Sequence, residues 1–198
     1  MDPVIIGGTI AGALALAAAV GAYIVVPRRN GGYKHLKKPA RGHTGPILFY
    51  DRGDPYYEFT NFSPHAIEFE GKIYPSSEHL FQAHKFLGTR PDIAERVRAA
   101  PSPRAALEEA TRQRAHVRPG WRQVNIASMD TVLALKFAQH ADLRQLLLDT
   151  GNRVLVEDSP VDSFWGCGAD GKGRNELGKA LMRLRDKLRQ QARLGGRL

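Results

Sequence analysis

A carboxylate, an amide and an amine recur at i, i+4 and i+7 in Ser76-Ser77-Glu78-His79-Leu80-Phe81-Gln82-Ala83-His84-Lys85-Phe86-Leu87. On a helix, Glu78, Gln82 and Lys85 share one stripe, with Phe81 and Phe86 flanking it. A polar face walled by aromatic rings suits a polar ligand. Glu78 falls in the first turn, where the helix dipole favours the ionised form that a general base or an oxocarbenium stabiliser needs. The same spacing also describes a solvated helix face, so residue types alone leave both readings open.

A second cluster runs from Asp158 to Gly178 and contains Asp162, Trp165, Gly166, Gly168, Gly171, Lys172, Gly173, Arg174 and Asn175. Five glycines between 166 and 178 feed into a helix start. Glycine lets backbone N–H groups approach a ligand, and a helix N-terminus favours anions. With Lys172 and Arg174 adding positive charge, a phosphate fits, and Trp165 offers a ring for stacking on a base or ribose. Neither the Walker A pattern nor the dinucleotide G-x-G-x-x-G is present, and an ordinary mobile loop is the alternative. Cys167 stands between two glycines with no histidine or cysteine nearby and reads as incidental. His65, His116 and His140 lack metal-ligand spacing.

These clusters need elements to position them. Ile47–Tyr50 reads as a short buried strand. Residues 66–74 alternate apolar and polar about Glu70-Gly71, as a hairpin does. The polar stripe belongs to a helix capped by Ser76 and closed by Gly88. Further helices are expected near Asp92–Ala99, from Ser102-Pro103 to Arg114, from a Ser128 cap to His140, and over Asp142–Thr150. Arg153–Glu157 reads as a strand. Asn175 starts a last helix, whose Leu177, Leu181, Leu184 and Leu188 repeat at helical spacing. The class is α+β, mostly helical, with a few short strands.

The chain has 198 residues, a net charge of +9 and one cysteine. That length favours one domain with appendages, and a single cysteine excludes a disulfide-stapled scaffold and a Cys-type zinc site. The charge sits at the ends, because residues 47–182 balance bases against acids. Val4–Val26 carries no charge over a length that spans a hydrocarbon core of about 30 Å, and Pro27-Arg28-Arg29 closes it. These features predict an anchor over 1–27 that crosses a membrane through 4–26, a basic Gly/Pro linker over 28–46, a domain over 47–190 and a basic tail over 191–198. Positive charge after the span places the domain on the cytosolic side.

Phe59-Thr60-Asn61-Phe62-Ser63-Pro64 and Tyr74-Pro75-Ser76-Ser77-Glu78-His79-Leu80-Phe81-Gln82-Ala83-His84-Lys85-Phe86 resemble the N-terminal signature of the NADAR family of YbiA-like proteins. The likeness continues through Ala134–His140 and Leu146–Gly151. It ends with Asp162-Ser163-Phe164-Trp165-Gly166-Cys167-Gly168 and Gly171–Met182. It covers about residues 47–190, in order.

The resemblance implies an N-glycosidase for ribosides that carry phosphate or ADP. Examples are early riboflavin-pathway intermediates and ADP-ribosylated guanine, nucleic acid included. It implies Glu78 as the essential carboxylate and Lys85 as a catalytic group able to capture the opened ribose as a Schiff base. Asp162 and Trp165 become pocket residues, Asp162 being counted with the catalytic set. Asn61, Phe62, Gln82 and Gly166 would line the ligand site, while Gly173 and Asn175 shape a phosphate loop. No metal or cofactor is implied. Between Glu108 and Trp121 relatives usually show a Gly-Arg pair where this chain has Ala110-Thr111-Arg112-Gln113-Arg114, leaving Arg112 or Arg114 as substitutes. The competing expectation is a membrane-tethered module that binds NAD or ADP-ribose without turnover. A basic-tail binder of nucleic acid fits less well with an electrically balanced centre.

Overall fold

Glu70 and Gly71 both have positive φ, 50° and 73°. A two-residue type I′ turn demands that conformation at both central positions, and it joins β2 (Ile67–Phe69) to β3 (Lys72–Tyr74) as the alternation predicts. The computed structural model describes residues 45–195. Within them β1 (Ile47–Phe49) pairs in parallel with β4 (Leu155–Glu157), opposing Ile47 to Leu155 and Phe49 to Glu157. A parallel partner needs a crossover, and here nearly the whole domain supplies it.

That crossover holds the hairpin and five helices: α1 (Ser77–Ala83), α2 (Pro91–Arg98), α3 (Pro103–Arg112), α4 (Trp121–Gln139) and α5 (Ala141–Asp149). A sixth, α6 (Glu176–Gly195), follows β4. Helix α1 packs against α2, α3 and α4, while α6 packs on α4, α5 and β4. Phe49, Phe59, Phe86, Met129, Leu133, Phe137 and Leu147 are fully buried between these layers. Ser102 caps α3 by accepting from Ala105 N at 3.1 Å, with Pro103 at the first helical position.

The α+β domain, mostly helical with short strands, agrees with expectation; several boundaries and the anchor do not. Helix α1 stops at Ala83, because Phe86 N and Leu87 N both turn back to Ala83 O, at 2.8 and 3.0 Å, carrying Phe86 into the core. Helix α4 begins at Trp121, after Gly120 at φ 74°, and not at Ser128. Ser128 lies buried in mid-helix, where its hydroxyl meets His84 Nδ1 at 2.6 Å. Ser76 precedes α1 without capping it, its hydroxyl being engaged by His79 Nδ1 at 2.8 Å.

The expected membrane anchor, and with it the membrane localisation, is corrected. Among the described residues no helix is long and apolar enough to cross a membrane. The two longest, α4 and α6, carry Arg122, Asp130 and Lys136, and a series of arginines, on helices built for packing within the domain. The segment 4–26 itself lies outside the described residues, as does the linker up to residue 44.

Candidate active site

Helices α1 and α4, the loop before β2, the end of β4 and the segment after it line a cavity of about 260 Å³. Glu78 forms part of its floor and is only 6% exposed. Its Oε1 accepts from Gln82 Nε2 at 2.7 Å, the i, i+4 relation read from the sequence. Its backbone N–H donates to Asn61 O at 3.0 Å, which ties the first turn of α1 to the loop carrying Asn61 and Phe62. Burial raises the Glu78 carboxyl above the usual carboxylate range, while the Gln82 amide, the Lys85 ammonium and Asn61 pull it back. Desolvation therefore outweighs the dipole effect expected from its first-turn position.

Lys85 stands in the tight turn beyond α1, where its N–H reaches Gln82 O at 3.3 Å. The cavity brings its side chain beside Glu78 all the same. Burial lowers the amine below the usual lysine range and the Glu78 charge works the other way. Among the described residues Nζ makes no hydrogen bond or ion pair. An amine in that setting loses its proton more readily than one in water, as a nitrogen nucleophile requires.

Aromatic rings close one side. Phe81 contacts both Trp121 and Trp165, with ring centroids 5.4 and 5.2 Å away. Trp165 is aimed by Asp162, whose Oδ1 accepts from Phe164 N at 2.8 Å and Trp165 N at 2.7 Å. Asn61, Phe62, Glu78, Gln82, Lys85, Asp162 and Trp165 thus meet at one cavity.

Gly166, Gly173 and Asn175 do not line it. A Cβ on Gly173 would fall 2.4 Å from Gly166 O, and one on Gly166 would fall 2.7 Å from Glu157 O. These glycines permit backbone to lie on backbone. The N–H groups expected to cradle phosphate are engaged within the loop: Arg174 N on Ser163 O, Asn175 N on Gly166 O, Glu176 N on Phe164 O, Leu177 N on Trp165 O. Arg174 pairs with Glu176 at 3.0 Å and covers the Phe164 ring. Arg112 is tied to Glu109 at 2.7 Å, and neither it nor Arg114 lines the cavity.

Sequence reasoning missed Trp121, Asn125, Met129 and, above all, Glu157. Glu157 is the last residue of the expected strand. A carboxylate ending a buried strand, just before the glycine-rich segment, is the one sequence signal that could have found it. Burial, Asp162 and Glu78 push its carboxyl up to about 8. Among the described residues no group of His, Cys, Asp and Glu has the arrangement of a metal site.

The NADAR domain profile matches residues 48–189. An N-glycosidase of Nostoc punctiforme is 41% identical over 151 residues, covering 76% of this chain and 97% of its own. The N-glycosidase YbiA of Escherichia coli K12 is 42% identical over 142 residues, 72% of this chain and 88% of its own. A chloroplastic riboflavin biosynthesis protein of Zea mays, PYRR, is 39% identical over 158 residues, which take in 25% of its length. The NMR structure of E. coli YbiA superposes with a TM-score of 0.68 at 42% identity, over 75% of this chain and 87% of that one.

Proposed function

Because the chain belongs to the NADAR family, we propose that it is an N-glycosidase that cleaves the C–N bond between ribose and a base in ribosides carrying phosphate or ADP. Both early riboflavin-pathway intermediates and ADP-ribosylated guanine fall within that class. The observation that carries this reading is the pairing of Glu78 and Lys85 in one aromatic-walled cavity.

Breaking the bond builds positive charge at the anomeric carbon. A carboxylate held at that point stabilises the charge more in the transition state than in the ground state. Glu78 is so held, by Gln82 on its side chain and Asn61 on its backbone. Lys85 bonds to the anomeric carbon through an amine that burial helps to deprotonate, and water later releases the ribose. Phe81, Trp121 and Trp165 offer the faces against which a base stacks.

Free-base release is the test. Full-length protein is incubated with a guanine-ADP-ribosylated oligonucleotide, NAD, ADP-ribose conjugates and a ribosylaminopyrimidine phosphate, and products are read by mass spectrometry. Wild-type protein is expected to release base from at least one. Glu78→Gln is expected to lower that rate by about a thousandfold, the scale of losing one preorganised electrostatic group. Intact substrates with saturable ADP-ribose binding would move the protein to a binding role.

A further inference from the structure

Two carboxylates share this cavity in opposite circumstances. Glu78 receives a hydrogen bond from Gln82 at 2.7 Å and faces the Lys85 amine. Glu157 receives none among the described residues, where its Oε2 is buried without a partner. Burial raises both carboxyls, but only Glu78 has a donor and an amine beside it, and unlike surroundings of that kind divide acid and base roles between two groups of one type.

The backbone of Glu157 is gripped from three sides. Its N–H donates to Asn175 Oδ1 at 3.0 Å, and its carbonyl accepts from Cys167 N at 2.9 Å. Strand pairing sets it opposite Phe49, and the next N–H, of Asp158, reaches Phe49 O at 3.2 Å. Gly166 lies against its carbonyl where no Cβ would fit. Asn175 adopts a left-handed φ of 51° so that its amide spans Glu157 N and Leu155 O. The glycine-rich motif therefore converges on the end of β4, fixing the main chain of a residue whose carboxyl is left without a donor. That is how a group is kept in place for chemistry, since no part of its own hydrogen bonding is needed for the fold.

Resting on the N-glycosidase reading above, we propose that Glu157 is the acid that protonates the departing base. As the C–N bond breaks, its electron pair passes to the leaving nitrogen, which takes the proton of the Glu157 carboxyl. The Lys85 amine bonds to the anomeric carbon and gives its surplus proton to Glu78. Water then adds and frees the ribose from Lys85, and solvent returns the proton from Glu78 to Glu157. The sum is base riboside plus water giving free base plus ribose.

The charged neighbours support the assignment. Facing Glu157 are Asp162 from the loop after β4, Glu78 from α1 and, in the same cavity, Lys85 from the turn beyond it. Two acids against one amine favour one neutral carboxyl. Burial and the two neighbouring acids push the Glu157 carboxyl up to about 8, and among the described residues no donor works against them.

The test compares full-length wild type, Glu157→Gln and Glu78→Gln on two probes: a ribosylaminopyrimidine phosphate and a ribosylpyridinium phosphate. The first needs a proton on its leaving nitrogen; the second departs as neutral pyridine without one. Glu157→Gln is expected to slow the first by about a hundredfold, the usual scale of general acid catalysis, and to leave the second within about threefold. Glu78→Gln slows both. In wild type, kcat/KM for the first probe falls above about pH 8, and Glu157→Gln loses that limb. Equal slowing of both probes by Glu157→Gln, or an unchanged rate on the first, overturns the proposal. So does a wild-type profile flat through pH 8, a readout that needs no folded variant. A wild type that releases no base from any substrate refutes the glycosidase reading itself, an outcome seen before any variant is made.

Discussion

Among the described residues two lysines are withdrawn from water, and they are treated differently. Lys136, on α4, is fully buried, and its Nζ donates to Glu58 O, to Thr60 O at 2.9 Å and to Ser63 Oγ at 2.8 Å. Lys85 lines the cavity, and its Nζ has no hydrogen-bond partner among the described residues. Both amines are lowered by desolvation, Lys136 to about 7. The acceptors around Lys136 are mostly dipoles, which orient the group without repaying the loss of hydration as a full charge would. Lys136 gives its bonding capacity to the loop over residues 58–63. Lys85 gives its own to no group among the described residues.

Replacing each by methionine separates the two roles. Lys136→Met leaves Glu58 O, Thr60 O and Ser63 Oγ short of a donor, and unfolding in urea should show a loss of about 3 kcal/mol. Lys85→Met removes an amine that makes no hydrogen bond among the described residues, so stability should change by less than about 1 kcal/mol while base release falls by about a hundredfold or more. A stable Lys136→Met, or a Lys85→Met that unfolds, would break the distinction.

Acidity sharpens it next. The folded value of Lys136 lies near 7 against 10.5 for the free side chain. Between those values the unfolded chain binds one more proton than the folded one, so stability rises with pH. The gain is complete above 10.5 and is lost as pH falls through about 7. Urea unfolding of wild type against Lys136→Met from pH 7 to 9.5 should diverge by up to about 1.4 kcal/mol per unit, the limit for one proton. Parallel curves would mean that Lys136 stays charged throughout.

The sequence shows the polar pair at the start of α1 because periodicity is local: Glu78 and Gln82 are one turn apart whatever surrounds them. It shows the hairpin because Glu70-Gly71 needs left-handed backbone there and nowhere nearby. It misplaces the start of α4, because Ser128 looks like a cap until His84, which lies 44 residues earlier, is seen to claim it. The loop after β4 misleads for a related reason. Glycines that admit a ligand and glycines that admit another strand of backbone are the same residues in a row, and what tells them apart is the backbone at Gly166 and Cys167 that a Cβ on Gly173 would strike. Glu157 stays hidden because a strand-ending glutamate is ordinarily solvated. What makes it unusual is the company of Asp162, from the loop just after β4, and of Glu78, brought to it by the crossover.

The finest test of the comparison is Ser63→Ala. Ser63 is fully buried, and its hydroxyl is one of three acceptors on Lys136 and a neighbour of His65 Nδ1 at 3.1 Å. Removing it leaves Lys136 with two carbonyls, so the expected cost is about 1.5 kcal/mol, at the low end for a bond to a charged group. The loop would then still be pinned at Glu58 and Thr60, on the near side of Asn61 and Phe62. Base release should therefore stay within about threefold of wild type, less than 1 kcal/mol in the barrier. A fall of more than about tenfold with the stability loss as small as expected would show that this bond positions Asn61 and Phe62 for reaction. Lys136 would then belong to the active site as a positioning residue, and burial with full hydrogen bonding would no longer mark a lysine as structural alone.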